Sequence, residues 1–309
     1  MKKWAKPLEW IGRLLTLIAL VWVVSLIWRQ RHVLLSVWSL ENGIYLLVIL
    51  VVYSCSLLLM SLAWIIYLPT KPRNSLFFPL LKMYARTSLA KYLPGNVFHF
   101  VGRQVAAAWP NLNHLILARA TIMENLSLLS ASGMLVLLSW IIHSASLSGM
   151  LMMMGIVTAG LVLPVLLYRV IKRYRPELFP ERVSSGQIYR ILFYPFFIHV
   201  AFFAVSGSLF FATSFLLNDA MHAPFTWWLV FPVYVTSWLV GFVTPGSPGG
   251  IGVRDALLIV GMTPLIGETA ALQSSLIFRV VTISGDLLFA GIVMPIKSYA
   301  VTVPDQRDQ

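Results

Sequence analysis

Long runs of apolar residues, separated by short polar connections, dominate the chain. Each run is long enough to cross about 30 Å of hydrocarbon at about 1.5 Å per residue of α-helix. The runs lack the two-residue alternation of β-barrel strands, so the pattern predicts an all-α, polytopic helical membrane protein with about seven or eight spans. We treat residues 1–309 as a single integral membrane domain. Full spans are expected at 11–28, 44–68, 116–142, 150–169, 191–217, 224–243 and 270–296.

Two further apolar stretches, 75–112 and 244–268, are interrupted by proline and glycine. We call them the first and second broken segments. Irregular backbone at membrane depth is stable only where protein or a water-filled cavity surrounds it. A complete crossing by the first broken segment would place the basic connection at 169–190 outside, so we expect both segments to be re-entrant. A complete crossing by the second segment stays open, and it would move the C-terminus from the outer to the cytoplasmic side.

The two broken segments resemble each other and form a candidate internal repeat. Residues 94–103 read PGNVFHFVGR and residues 245–254 read PGSPGGIGVR, so an arginine follows nine positions after each first proline. A helix that begins after a Pro-Gly turn exposes free N–H groups, and an arginine in its first turn adds positive charge. Such a pair of half-helices could hold a phosphate or carboxylate. The alternative is that each Pro-Gly pair only forms an ordinary turn and that the matching arginine offset is a coincidence. The predicted head-group-binding residues are Arg103, Arg254, Gly95, Asn96, Gly249, Gly250 and Gly252.

Several ionisable residues fall within or beside the predicted spans. Charges at membrane depth are costly and usually face a bundle interior or a wet cavity. Arg279 and Asp286 are two helical turns apart and share one helix face. They predict a polar route for a head group, with structural ion pairs between helices as the alternative. The predicted cavity-lining residues are His99, Glu124, Asp255, Arg279 and Asp286.

The composition supports the membrane prediction and its orientation. Of the 309 residues, 59% are hydrophobic and only 11% are charged, and the net charge is +12. The basic residues cluster in short connections such as 71–91 and 169–190, which indicates membrane topology rather than nucleic-acid binding. The positive-inside rule places the N-terminus in the cytoplasm, in a multi-pass protein of the cell inner membrane. The apolar stretch near the N-terminus lacks a cleavage site, so we expect an uncleaved first helix. The single cysteine, Cys55, cannot form an intrachain disulfide and is predicted to be a small buried packing residue.

The broken segments also resemble a known family. Residues 91–95 and 98–103, and above all residues 244–255, resemble the signatures of the lysylphosphatidylglycerol synthase transmembrane-region family. The resemblance spans most of the chain and includes Glu124 and Arg279. Many members have glutamate at the position of Asp255, a departure that keeps the charge and shortens its reach. The resemblance implies a flippase-like membrane domain that moves or accommodates lipids. The chain ends shortly after the last predicted span, so we expect it to stand alone without the aminoacyltransferase domain.

Taken with the resemblance, the residues predict a protein that translocates an anionic lipid or lipid-linked intermediate for envelope biogenesis. Metal-dependent glycosyltransferase, nucleotide-binding, zinc-protease and serine-hydrolase motifs are missing from the sequence, so we expect no enzyme, metal or cofactor. Two alternatives stay open. One is a membrane transferase that uses a polyprenyl-phosphate-linked donor, with Asp255 or Glu124 as base; the other is a non-catalytic scaffold of an envelope glycolipid pathway. The expected partners are an anionic or polyprenyl-phosphate-linked lipid and envelope-synthesis enzymes, and no nucleic acid.

Overall fold

The computed structural model describes most of the predicted spans and broken segments. It covers residues 28, 40–69, 76–92, 98–144, 166, 169–170, 172–174, 185–217, 226–244 and 248–296. Within these residues the regular structure is entirely helical, as the hydropathy pattern predicts. The α-helices are α1 (Leu40–Ile66), α2 (Phe77–Ser88), α3 (Phe98–Arg103), α4 (His114–Ser144), α5 (Ser185–Leu216), α6 (Thr226–Val243), α7 (Val253–Ile266) and α8 (Glu268–Val293). Short 3₁₀ helices occupy Leu89–Tyr92, Gln104–Ala108 and Pro248–Gly250.

Four helices in the described part of the chain are long and apolar enough to cross a membrane. The apolar stretches, each of 26 residues, are Glu41–Ile66, His114–Ser139, Ile191–Leu216 and Glu268–Val293. They belong to α1, α4, α5 and α8, and each overlaps closely with a predicted span. These four helices have the composition of a membrane protein.

The remaining predicted spans differ from these four. The span predicted at 224–243 corresponds to α6, whose apolar part, Trp227–Val243, is shorter than the four long stretches. The spans predicted at 11–28 and 150–169 lie almost wholly outside the described residues.

Glycines allow neighbouring helices to approach closely. A Cβ atom on Gly285 of α8 would lie 2.5 Å from Cδ1 of Tyr53 on α1. A Cβ atom on Gly261 of α7 would lie 2.5 Å from Cγ1 of Val233 on α6. Small residues at helix contacts bring backbones together in membrane bundles, where van der Waals packing supplies much of the association energy. Glycine therefore fixes the spacing of α8 against α1 and of α7 against α6.

Aromatic side chains form the centre of the bundle. Phe278 of α8 packs edge-on against Phe210 of α5, Tyr234 of α6 and Tyr53 of α1, with ring centroids 5.2, 5.7 and 6.3 Å apart. Edge-to-face contacts of this kind stabilise a core beyond simple burial of area. Because Phe278 precedes Arg279 in the chain, this packing also fixes where the Arg279 side chain begins.

The broken segments are discontinuous in the structure too. The first contains α2 and α3, of 12 and 6 residues, and the second contains α7, of 14 residues. Each of these helices is too short to cross a bilayer alone. The two segments touch, since a Cβ atom on Gly249 would lie 3.0 Å from the ring of Tyr92.

The prediction that Cys55 is buried is wrong. Cys55 is exposed on α1, on a surface shared with the exposed residues Val51, Val52 and Leu58. In a membrane helix both the lipid-facing and the core-facing sides are apolar. Hydropathy alone therefore could not assign this residue to either side.

Candidate functional site

A cavity of about 130 Å³ lies where the two broken segments meet the long helices. Side chains from α1, α2, α3, α4, α5, α6, α7 and α8 line it, together with backbone from the 3₁₀ helix Pro248–Gly250. Its lining is mostly apolar and aromatic, with charged groups from both broken segments. The ionisable residues that line it, apart from tyrosines, are Lys91, His99, Arg103, Glu124, Arg254, Arg279 and Asp286.

The arginine of the first broken segment is neutralised within the protein. Arg103 donates through Nη1 to Oε2 of Glu124 on α4, and the Tyr84 hydroxyl donates to Oε1 of the same carboxylate at 2.8 Å. The Arg103 guanidinium also stacks on the ring of Tyr84, 4.2 Å from its centroid. Both charges are buried, so each removes much of the cost of burying the other.

The expected first-turn position of Arg103 is wrong. Arg103 is the last residue of α3, and the chain continues as the 3₁₀ helix Gln104–Ala108. The two broken segments therefore share a sequence offset but differ in local geometry. The reason lies in the turn residues: 98–103 contains one glycine, whereas 249–252 contains three and delays the helix start to Val253.

The arginine of the second broken segment does occupy the first turn of its helix. Gly252, with φ +85°, precedes α7, and Arg254 is the second helical residue. The backbone N–H of Gly252 donates to Oδ2 of Asp255 at 3.1 Å, which is the return half of a capping box. A left-handed φ is accessible to glycine at little cost, so the sequence Gly-Val-Arg-Asp sets the helix start.

Arg254 is buried and forms no ion pair among the described residues; the neighbouring carboxylate Asp255, which interacts with it electrostatically, pairs with Arg279. The Arg254 side chain is 8% exposed, and its guanidinium lies 5.1 Å from the ring centroid of Tyr234. Its Nη2 has no hydrogen-bond partner within the described part of the chain. A buried cation with a free donor, facing a cavity, is an arrangement that attracts an anion.

Arg279 holds the second broken segment against α8. It donates through Nε and Nη2 to Oδ1 of Asp255, at 2.9 and 2.6 Å. Its Nη1 donates to the carbonyl of Gly249 at 3.1 Å, and its Nη2 reaches the carbonyl of Gly250 at 3.5 Å. Two of the glycines that the sequence assigns to head-group binding, Gly249 and Gly250, thus use their carbonyls to bind Arg279. Asp255 pairs with Arg279 from just outside the cavity lining.

Asp286 is the acceptor for two donors of the first broken segment. Lys91 Nζ lies 2.7 Å from Asp286 Oδ2, and the Tyr92 hydroxyl also donates to this oxygen. Asp286 is fully buried, whereas the Lys91 side chain is 27% exposed. The structure therefore joins residues 195 positions apart. Lys91 and Tyr92 were not among the predicted site residues, although they lie three and two positions before Pro94.

His99 lies in the cavity wall as a neutral group. It is buried, and its Nδ1 has no hydrogen-bond partner within the described ranges. Burial beside the positive charges of Arg103 and Lys91 favours the uncharged form of this imidazole. Two other predicted residues, Gly95 and Asn96, lie outside the described residues.

The structure thus brings most of the predicted site residues to one cavity, where three carboxylates pair with three of four basic side chains. Glu124 and Asp255, the candidate bases of a transferase, are both hydrogen-bonded to arginines. What the arrangement can do chemically is bind one small anionic group beside Arg254. Comparisons of the chain with protein-family models, with curated proteins and with solved structures gave no match.

Proposed function

We propose that this chain is an inner-membrane protein that binds and translocates an anionic lipid or lipid-linked intermediate, with the phosphate of its head group bound by Arg254. The cavity lies between helices whose exposed side chains include many large apolar residues, which suits a lipid with its head group in the bundle and its acyl chains in the bilayer. Its volume of about 130 Å³ is large enough for several water molecules. A phosphate group fits such a space, whereas drug-sized ligands occupy pockets of roughly 300 Å³ or more.

The observation that carries the proposal is the buried, unpaired charge of Arg254. An isolated buried charge costs several kcal/mol, and a protein usually pairs it or neutralises it. The other basic residues of the cavity form ion pairs with carboxylates, while Arg254 forms none among the described residues and stacks on the ring of Tyr234. A bound phosphate would supply the missing partner through charge-assisted hydrogen bonds.

The lipid nature of the anion is supported by the resemblance to the lysylphosphatidylglycerol synthase transmembrane-region family. The proposal includes seven or eight spans, a cytoplasmic N-terminus and two re-entrant broken segments. The short helices α2, α3 and α7 support the re-entrant arrangement, since each ends well before a bilayer could be crossed. Movement of one half of the bundle against the other would carry the head group across, by analogy with transporters built from repeats.

The test is lipid translocation in proteoliposomes made with purified protein and anionic lipid labelled in one leaflet. We expect wild type to translocate the lipid and Arg254→Ala to slow translocation at least about tenfold, since it removes a buried charge contact with the phosphate. Arg86→Ala is the matched control, because Arg86 is an exposed residue of α2 away from the cavity.

Either of two results would contradict the proposal. If well-folded wild type leaves both phospholipid and polyprenyl-phosphate lipids in their original leaflet, the protein does not translocate these lipids by itself. A scaffold role would then gain support. If Arg254→Ala translocates as fast as Arg86→Ala, the head group binds elsewhere.

A further inference from the structure

We propose that the cavity selects a head group whose phosphate carries a single negative charge, as in a phosphodiester, over a doubly charged phosphomonoester. The inference rests on the proposed function and names the substrate class of the same site. It follows from the balance of buried charges around the cavity.

Four basic groups and three carboxylates make up this set of charges. Lys91 pairs with Asp286 at 2.7 Å, and Arg279 pairs with Asp255 at 2.6 Å. Arg103 pairs with Glu124. Arg254 is the remaining member, so the described cavity carries one net positive charge.

The two connections that join described parts of the site along the chain do not alter this balance. The connections at 93–97 and 245–247, which lead into the two halves of the site, contain no ionisable side chain. His99 is neutral, as described above, and the cavity tyrosines are neutral phenols at ordinary pH. Among the described residues and these two connections, the charge that a ligand meets is therefore that of Arg254 together with three ion pairs.

A single negative charge neutralises such a cavity. A phosphodiester carries one charge and would leave the filled site electrically neutral. A phosphomonoester above its second pKa, which is about 6, carries close to two charges and would leave one buried negative charge uncompensated. Uncompensated buried charge is strongly unfavourable in a site enclosed by apolar side chains, so the second charge opposes binding.

The ion pairs could adapt to a dianion only by breaking. Lys91 is the most exposed of the basic groups, at 27%, yet turning it toward a ligand would leave the fully buried Asp286 without its cation. Arg279 donates hydrogen bonds to Asp255 and to the carbonyl of Gly249. Arg103 is bound by a hydrogen bond to Glu124 and by its stack on the Tyr84 ring. The three ion pairs therefore make the cavity selective for a ligand with a single negative charge.

The experiment measures binding of short-chain lipids to the purified full-length protein in a neutral detergent. The ligands are phosphatidylglycerol, phosphatidic acid well above its second pKa, diacylglycerol and inorganic phosphate. We expect wild type to bind phosphatidylglycerol about tenfold or more tightly than phosphatidic acid. Arg254→Gln should lower phosphatidylglycerol binding to the level of diacylglycerol, while Arg86→Gln should leave the ratio unchanged.

Variants that add one net positive charge test the balance directly. Asp286→Asn and Glu124→Gln each remove one carboxylate, from two different ion pairs, and should shift the ratio toward phosphatidic acid by about tenfold. Two variants are used so that a folding defect in one leaves the other informative. A shift in neither folded variant would overturn the inference.

The outcomes for the two proposals are distinguishable. Equal binding of both phospholipids, each tighter than diacylglycerol, overturns charge selectivity and leaves the anion site in place. Binding of diacylglycerol as tight as that of phosphatidylglycerol overturns both. Inorganic phosphate that binds as tightly as phosphatidylglycerol would show that acyl chains contribute nothing, which contradicts the lipid assignment.

Discussion

At the scale of single residues, Arg103 and Arg254 occupy matching sequence positions but opposite electrostatic environments. Both are more than nine-tenths buried and both stack on a tyrosine ring. Arg103 also has a carboxylate partner in Glu124, whereas Arg254 has no described one. We infer that Arg103 stabilises the fold of the first broken segment and that Arg254 binds the anionic group of the ligand.

This difference predicts opposite effects on stability for the same substitution. Arg103→Met leaves the buried Glu124 unpaired and should lower the free energy of unfolding by about 3 kcal/mol or more. Arg254→Met removes an unpaired buried charge and should raise it, by about 1 kcal/mol, in the absence of lipid. Thermal unfolding in lipid-free detergent measures both changes. A similar loss of stability in both variants would show that Arg254 has an internal anionic partner.

At the scale of elements, the second broken segment is a glycine-rich turn that orients a helix and a carbonyl pair. Gly249, Gly250 and Gly252 all have positive φ, at +57°, +74° and +85°. This backbone directs the carbonyls of Gly249 and Gly250 toward Arg279 and starts α7 with Arg254 facing the cavity. Side chains other than glycine rarely adopt such angles, so the turn depends on these residues.

Gly249→Ala should disrupt this turn. The new Cβ would lie 3.0 Å from the Tyr92 ring. The turn would also require alanine to adopt a left-handed backbone conformation, which costs about 1–2 kcal/mol. We expect a lower unfolding temperature and weaker binding of anionic lipid. Gly133→Ala in α4 is the control, since its Cβ would meet no atom within 4 Å and alanine favours a helix by up to about 1 kcal/mol. Equal behaviour of the two variants would show that the turn tolerates a side chain.

At the scale of the whole molecule, the four long helices place an apolar surface around a charged interior. Cys55 lies on the outer surface near the middle of α1, and it is the single cysteine of the chain. If α1 spans the bilayer, this thiol faces hydrocarbon although the protein itself does not cover it. A charged, water-soluble reagent does not enter hydrocarbon, so it should not reach this side chain.

Thiol labelling in intact membranes tests this placement. We expect Cys55 to resist a charged, water-soluble maleimide until the membrane is dissolved in denaturant. A cysteine placed at the exposed position 86, as Arg86→Cys in a Cys55→Ala background, should react readily and serves as the control. Rapid labelling of Cys55 by the charged reagent in sealed vesicles would contradict a spanning α1.

The elements of this protein follow largely from its sequence. Long apolar runs predict α1, α4, α5 and α8 to within a few residues, because the length of a run must match the thickness of hydrocarbon. Proline and glycine mark the two broken segments for a similarly local reason, since these residues interrupt regular hydrogen bonding. Glu124, Arg254, Arg279 and Asp286 also stand out in the sequence, because ionisable residues are costly at membrane depth.

Only the tertiary structure decided how these charges are shared. Lys91 and Asp286, which form an ion pair, are 195 positions apart in the sequence. Neither Pro-Gly motif indicates that Arg103 pairs with Glu124 and not with a ligand. Sequence spacing fixes which residues share a helix face, whereas partners on different helices depend on how the helices pack. The matching sequence positions of Arg103 and Arg254 therefore could not predict that Arg103 forms an ion pair within the protein and that Arg254 forms none among the described residues.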